Sequence, residues 1–238
     1  MVNLAVFQNW EMNKMRKLKK SKKYVLVACE GPSEEEYIKY FKKKFNSVAD
    51  IYPIVITGSK LFPELMRTLT GTSRKSCNIE LVGSNIDEIW LFFDVEAKDK
   101  SNWNNHKRIL RQLQTYNKNM NIRLLMTSGC VEYWFLLHYK KKGSPVITES
   151  EKDRVINELK SLVPSYEKGD QKSTCQIAEN YKTAIKNSDS ILCQVIREEN
   201  INDKKELDRN AQLFISQRAF STVHEALNYL ISISPNIS

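Results

Sequence analysis

The stretch YVLVACEGPSEEEYIKYF, Tyr24 to Phe41, decides the fold of this chain. Its first six residues are apolar and partly β-branched, which suits a strand buried on both faces, as in a parallel sheet. Gly31 and Pro32 then break the run. Ser33 precedes Glu36 by three positions, the spacing of a capping box. Tyr37, Tyr40, Phe41 and Phe45 follow at helical spacing and supply a buried stripe. A buried strand that turns at once into an amphipathic helix is the opening of a βαβ unit.

The alternation continues downstream. IYPIVIT (51–57) reads as a second strand, restricted by Pro53 to a strand start or a sheet edge. Residues 60–70 read as a helix and 71–87 as a polar loop. EIWLFFDVE (88–96) is a third strand, NHKRILRQLQTYNK (105–118) a helix and IRLLMTS (122–128) a fourth strand. CVEYWFLLHY (130–139) is a helix apolar almost all round, hence buried. The pattern predicts an α/β Rossmannoid core over 24–148, with a mostly parallel sheet and helices on both faces. Residues 149–238 read as helices only, packed on the core. One stripe there comes from Ile177, Tyr181, Ala184 and Ile185. A second, from Val223, Ala226, Leu227 and Leu230, opens on a Thr222–Glu225 capping pair. Residues 1–23 form a basic N-terminal arm, in which KMRKLKKSKK (14–23) carries seven cationic side chains.

The 238 residues carry 37 Lys and Arg against 28 Asp and Glu, a net charge of +9, which favours a polyanionic partner. The five cysteines, Cys29, Cys77, Cys130, Cys175 and Cys193, are odd in number and contain no C-x-x-C pair. That argues against a disulfide scaffold and a zinc knuckle, and for a reducing compartment. No apolar run approaches membrane-spanning length, and LAVF near the N-terminus is too short for a signal-peptide core. The expectation is a cytoplasmic protein with no membrane partner.

In an open α/β sheet, ligands bind beyond the carboxyl ends of the strands. Glu30 directly follows the first strand. Asp94 and Glu96 end the third and, two apart in an extended segment, are expected on one side. Glu132 falls in the first turn of the helix after the fourth. Hard divalent cations take a few carboxylates and several waters, and can activate water for phosphoryl chemistry. Glu35 and Glu36 are accounted for by the helix dipole. Glu34, nearer Glu30 across the turn, is open to either role. Glu30 and Asp94 interrupt buried runs and have no such account. His138 reads as a core histidine or one that supports a site residue, and not as a metal ligand. No G-x-x-x-x-G-K-[ST] loop occurs, so the chain is not an evident NTPase.

VLVACEGPSEEEYIKYF, IWLFFDVEAKD and TSGCVEYWFLLHY together resemble the RloB-like family, which is associated with phage defence and distantly related to Toprim domains. YEKGD (166–170) and RAFSTVHEALNYLI (218–231) are similar to its C-terminal landmarks, so the resemblance spans about 24–231. It implies a Toprim-like α/β fold. Toprim enzymes place a glutamate after the first strand and D-x-D after a later one. Glu30 matches the former, and Asp94 and Glu96 the latter, with Glu in place of the second Asp. The implied activity is a Mg²⁺-dependent (or Mn²⁺-dependent) nuclease acting on RNA or DNA beside an ATPase partner. Glu30, Asp94 and Glu96 would hold the metal, and Glu34 and Glu132 would support it. Lys17, Lys19, Lys20 and Lys22 of the arm, with Lys140, Lys141 and Lys142, would hold phosphates. The alternative is a non-catalytic module that binds nucleic acid or a partner and keeps a residual acidic site. Converging side-chain oxygens of Glu30, Asp94 and Glu96 favour the enzyme; their capture by lysines favours the module.

Overall fold

The computed structural model of the chain describes residues 22–56, 61–70, 86–116, 118, 120–202 and 205–234. Lys17, Lys19 and Lys20, Cys77 and most of the 71–87 loop lie outside the described residues.

Strand β1 (Lys23–Cys29) is the first half of the opening stretch, and its last five residues are buried. It lies between β2 (Ala49–Val55) and β3 (Glu88–Val95), and β3 pairs onward with β4 (Asn121–Ser128). All three pairings are parallel, giving the order β2-β1-β3-β4. β2 is therefore an edge strand, which explains how Pro53 sits within it: a residue without an N–H costs nothing on an unpaired side. β3 is buried along almost its whole length until Asp94, as a strand covered on both faces should be.

Nine α-helices are described: α1 (Pro32–Lys44), α2 (Leu61–Leu69), α3 (Trp103–Tyr116), α4 (Val131–Leu136), α5 (Glu149–Leu162), α6 (Gln171–Ala178), α7 (Tyr181–Glu198), α8 (Glu206–Ile215) and α9 (Val223–Ile233). A 3₁₀ helix, Ala97–Asn102, joins β3 to α3. α1 packs on β2 and α6, α2 on α3, α3 on α8, and α4 on α5 and α7. This is a Rossmann-like α/β core with C-terminal helices, and those helices share its hydrophobic core: Val155, Leu159, Ile177, Leu213, Phe214 and Leu227 join Val27, Trp90, Phe92 and Trp134. No helix among the described residues is long and apolar enough to cross a membrane.

Two expected capping boxes do not form. α1 begins at Pro32 behind Gly31, with no side-chain cap. The Ser33 hydroxyl instead accepts a hydrogen bond from Gly169 N–H at 2.9 Å, and Glu36 pairs with Lys39 at 2.8 Å. Thr222 caps nothing; its hydroxyl donates to Leu124 O at 2.6 Å and accepts from Met126 N–H at 2.8 Å. Together with the Ser128 N–H to Phe220 O bond (3.0 Å), this seals the outer edge of β4 with the 220–222 segment. An edge that offers its N–H and C=O groups to its own chain cannot template another. Both hydroxyls found a tertiary partner better than their local one.

β3 and β4 are also tied at their amino ends. Glu88 is 1% exposed and takes Arg123 Nε at 2.6 Å and NH2 at 3.1 Å, with Trp90 Nε1 donating at 2.8 Å. The Arg123 guanidinium in turn lies 4.6 Å from the Tyr229 ring centre, which brings α9 onto the sheet.

Candidate active site

Glu30 is the first residue past β1. Its N–H donates to Phe92 O at 3.1 Å, and its Oε2 accepts from Asp94 N–H at 3.1 Å. The glutamate is thereby latched across the ends of β1 and β3. Glu34, one turn into α1, folds back over Gly31: a Cβ at position 31 would lie 3.0 Å from Glu34 Oε2. The glycine that ends the apolar run is thus also the gap into which a carboxylate packs. Glu34 is 3% exposed.

Glu132 lies in the first turn of α4 and is 2% exposed. Tyr166 donates its hydroxyl to Glu132 Oε1 at 3.0 Å, and Lys168 Nζ lies 4.0 Å from the same oxygen. Both come from the YEKGD loop. Gly169 (φ +79°) turns this loop with its α-carbon face against Pro32, where a Cβ would meet the ring at 3.2 Å. The loop therefore docks on the start of α1 and closes one side of the acidic site.

Four carboxylates thus share the carboxyl rim of the sheet. Burial pushes Asp94 well above the usual carboxylate range, reinforced by Glu34, Glu30 and Glu132 and opposed by Lys168. Burial likewise raises Glu34 to about 7, with Glu30 and Glu132 adding to it, while a backbone hydrogen bond and Lys168 pull down. Burial works against the charge on Lys168, but Glu132, Asp94 and Glu34 outweigh it and hold its pKa above normal. Three buried oxygens, Glu34 Oε2, Asp94 Oδ1 and Glu132 Oε2, have no hydrogen-bond partner among the described residues. Buried polar atoms are ordinarily paired, so three orphans in one place mark a site that wants a cation or protons.

Glu96 does not join this group. β3 ends at Val95, and Glu96 starts the 3₁₀ helix with its Oε1 on Lys152 Nζ at 2.5 Å. Glu96 is still extended, as the alternation with Asp94 expects, but its carboxylate is engaged by the lysine of α5. The supporting lysines are also engaged: Lys140 and Lys142 both pair with Glu158, Lys141 bonds Ser190 at 2.6 Å, and Lys22 pairs with Asp50 at 3.1 Å. Among the described residues, no group of three or more His, Cys, Asp or Glu side chains stands ready to hold a metal ion. The cluster is one of oxygen donors at charge-coupling range, suited in kind to a hard cation.

His138 is a core residue. Its Nδ1–H donates to Trp134 O at 3.0 Å, its Nε2 accepts from the Tyr37 hydroxyl at 3.0 Å, and burial lowers its pKa to about 3. A second histidine matters more to the site. Next to Glu30 and Asp94 opens a cavity of about 380 Å³ lined by Phe62, Phe93, Asn102, Asn105, His106 and Phe214, among others. The His106 ring stacks on Phe62 at 4.0 Å between centres, and burial lowers its pKa to about 4, leaving a neutral imidazole whose buried Nδ1 has no partner. Sequence reading passed over Tyr166, Lys168 and His106. YEKGD was visible as a landmark of the family resemblance, but nothing local tied it to Glu132.

A parallel Rossmann-like sheet with an acidic cluster at its carboxyl rim defines the class. Within it, the chain belongs to the RloB-like protein family, whose family model matches residues 25–230. Neither the curated proteins nor the solved structures give a match.

Proposed function

We propose that the protein is a divalent-metal-dependent nuclease that hydrolyses phosphodiester bonds of RNA or DNA, as an effector in anti-phage defence alongside an ATPase partner. The observation that carries the catalytic reading is the group of coupled carboxylates with three enclosed, unpartnered oxygens on the ligand-binding rim. The defence role and the ATPase rest on the resemblance to the family. Mg²⁺ or Mn²⁺ would be held by Glu30 and Asp94, with Glu34 and Glu132 as further oxygen donors; Glu96 would have to leave Lys152 to take part. Such an ion supplies charge stabilisation at phosphorus and a more acidic water. The chain's own groups do the rest. The latch from Asp94 N–H orients Glu30. Tyr166 fixes Glu132. Lys168, 4.0 Å from Glu132 Oε1, is a cation beside the cluster for a phosphate oxygen to meet. Glu34, with its pKa at about 7, is matched to proton exchange near neutrality.

The test is cleavage of labelled single-stranded RNA, tRNA and plasmid DNA with and without Mg²⁺ or Mn²⁺. Cleavage by the wild type that is lost in Glu30→Gln and Asp94→Asn, with unfolding curves intact, is the expected result. Undiminished cleavage by the double variant would refute it. The engagement of Glu96 by Lys152 and the want of a ready-made ligand group favour a second reading, a binding module with a residual site. That reading expects nucleic-acid or partner binding unaffected by metal and no cleavage at all.

A further inference from the structure

Among the described residues, the lysines expected to hold phosphates are Lys22, Lys140, Lys141 and Lys142, and these are engaged by Asp50, Glu158 and Ser190, whereas a second basic surface is open. The packed pair α2 and α3 encloses an open groove of about 970 Å³ lined by Arg67, Asn104, Lys107, Arg108, Arg111 and Gln112, among others. Arg67 pairs with Glu64 at 3.0 Å, whereas Lys107, Arg108 and Arg111 have no carboxylate partner among the described residues. Positions 104, 107, 108, 111 and 112 recur at three- and four-residue steps, so they share one face of α3. From Asn104 to Gln112 that face runs about 12 Å at the helical rise. Arg108 also lines the cavity beside Glu30 and Asp94. Arg108 thus borders both the basic track and the acidic site.

We propose that this groove is the path of a single-stranded polynucleotide, its phosphates on Lys107, Arg108 and Arg111, and that it leads the strand to the carboxylates at Glu30 and Asp94. Duplex grooves are read by elements that protrude into them, whereas a recessed cationic cleft suits one flexible strand. The charge order also fits: cations hold the backbone on approach, and the carboxylates stand where the chain would be cut. The direction toward cleavage rests on the nuclease reading; binding in the groove does not.

The experiment measures anisotropy of fluorescein-labelled single-stranded RNA, single-stranded DNA and duplex DNA in EDTA, so that neither metal nor cleavage enters. The groove variant carries Lys107→Ala, Arg108→Ala and Arg111→Ala, substitutions that favour a helix. The control removes the same charge from the exposed side chains Lys172, Lys182 and Lys186 on α6 and α7. The groove variant is expected to bind either single strand at least tenfold more weakly. Its log–log salt slope should fall by about two, the release expected for three lost phosphate contacts on a single strand. The control should stay within about threefold, and duplex should bind more weakly than either strand. An equal loss in the control, tighter binding of duplex, or an unaffected groove variant would each overturn the proposal. A wild type that binds single strands through the groove but cleaves none under any metal would leave the groove standing and remove the nuclease reading.

Discussion

Replacing Glu34 by glutamine removes a charge that the fold holds at a cost, and the cost can be worked out. Burial, with Glu30 and Glu132 behind it, raises the Glu34 pKa from 4.5 to about 7. For an acid shifted upward, the unfolded chain gives up its proton first. Stability is then greatest below the unfolded pKa and falls as the pH climbs from about 4.5 to about 7, levelling above that. At 1.36 kcal/mol for each pKa unit, the ionised side chain costs about 1 kcal/mol at about pH 5 and about 3 kcal/mol at about pH 8. Glu34→Gln relieves this. Thermal unfolding in EDTA should show the variant more stable by about 2–4 °C at the lower pH and about 6–12 °C at the higher one, at the shift expected for a chain of this size. Saturating Mg²⁺ should close the gap by stabilising the wild type, because a ligand that binds only the folded state adds to its stability. A variant no more stable than wild type at about pH 8, or equally stabilised at both pH values, would refute the reasoning that Glu34 is buried under repulsion.

Three other outcomes follow from the same structure. Arg123→Ala strips the bidentate partner from Glu88 and should cost about 3 kcal/mol in denaturant unfolding, with no change in cleavage beyond the loss of folded protein. Tyr166→Phe removes the hydroxyl that holds Glu132 Oε1 and should lower stability by about 1–2 kcal/mol and cleavage by at least tenfold, separating a residue that positions the site from one that only packs. Lys152→Met removes the ion pairs to Glu96 and Glu149 and should lower stability while leaving Mn²⁺ affinity unchanged, as unfolding curves and calorimetry would show.

The fold was legible because burial imposes its own pattern. Strands covered on both faces must be continuously apolar, and YVLVAC and IWLFF are; helices between them repeat at helical spacing. The edge position of β2 is one of the two that Pro53 allowed. Glu30 and Asp94 were legible because each interrupts a buried run without a local reason. The rest depended on distant partners. Ser33 and Thr222 have cap spacing, yet Gly169 in one case and β4 in the other took their hydroxyls, over separations of more than ninety residues. Glu96 has the alternation of a ligand, but Lys152, more than fifty residues on in α5, takes its carboxylate. Tyr166 and Lys168 reach Glu132 only because Gly169 bends their loop onto Pro32. Lys140 and Lys142 read as a basic patch until α5 presents Glu158 to both.

The central claim is that Glu30, Asp94, Glu34 and Glu132 are brought together to take a divalent cation. Mn²⁺ binding followed by electron paramagnetic resonance, alongside Asp94→Asn, tests it without reference to any substrate. The account predicts saturable binding of one or two ions by the wild type, weakened at least tenfold in Asp94→Asn and strengthened as the pH rises through about 7, where Glu34 loses its proton. Binding that is absent in the wild type, or unchanged by Asp94→Asn, would contradict it.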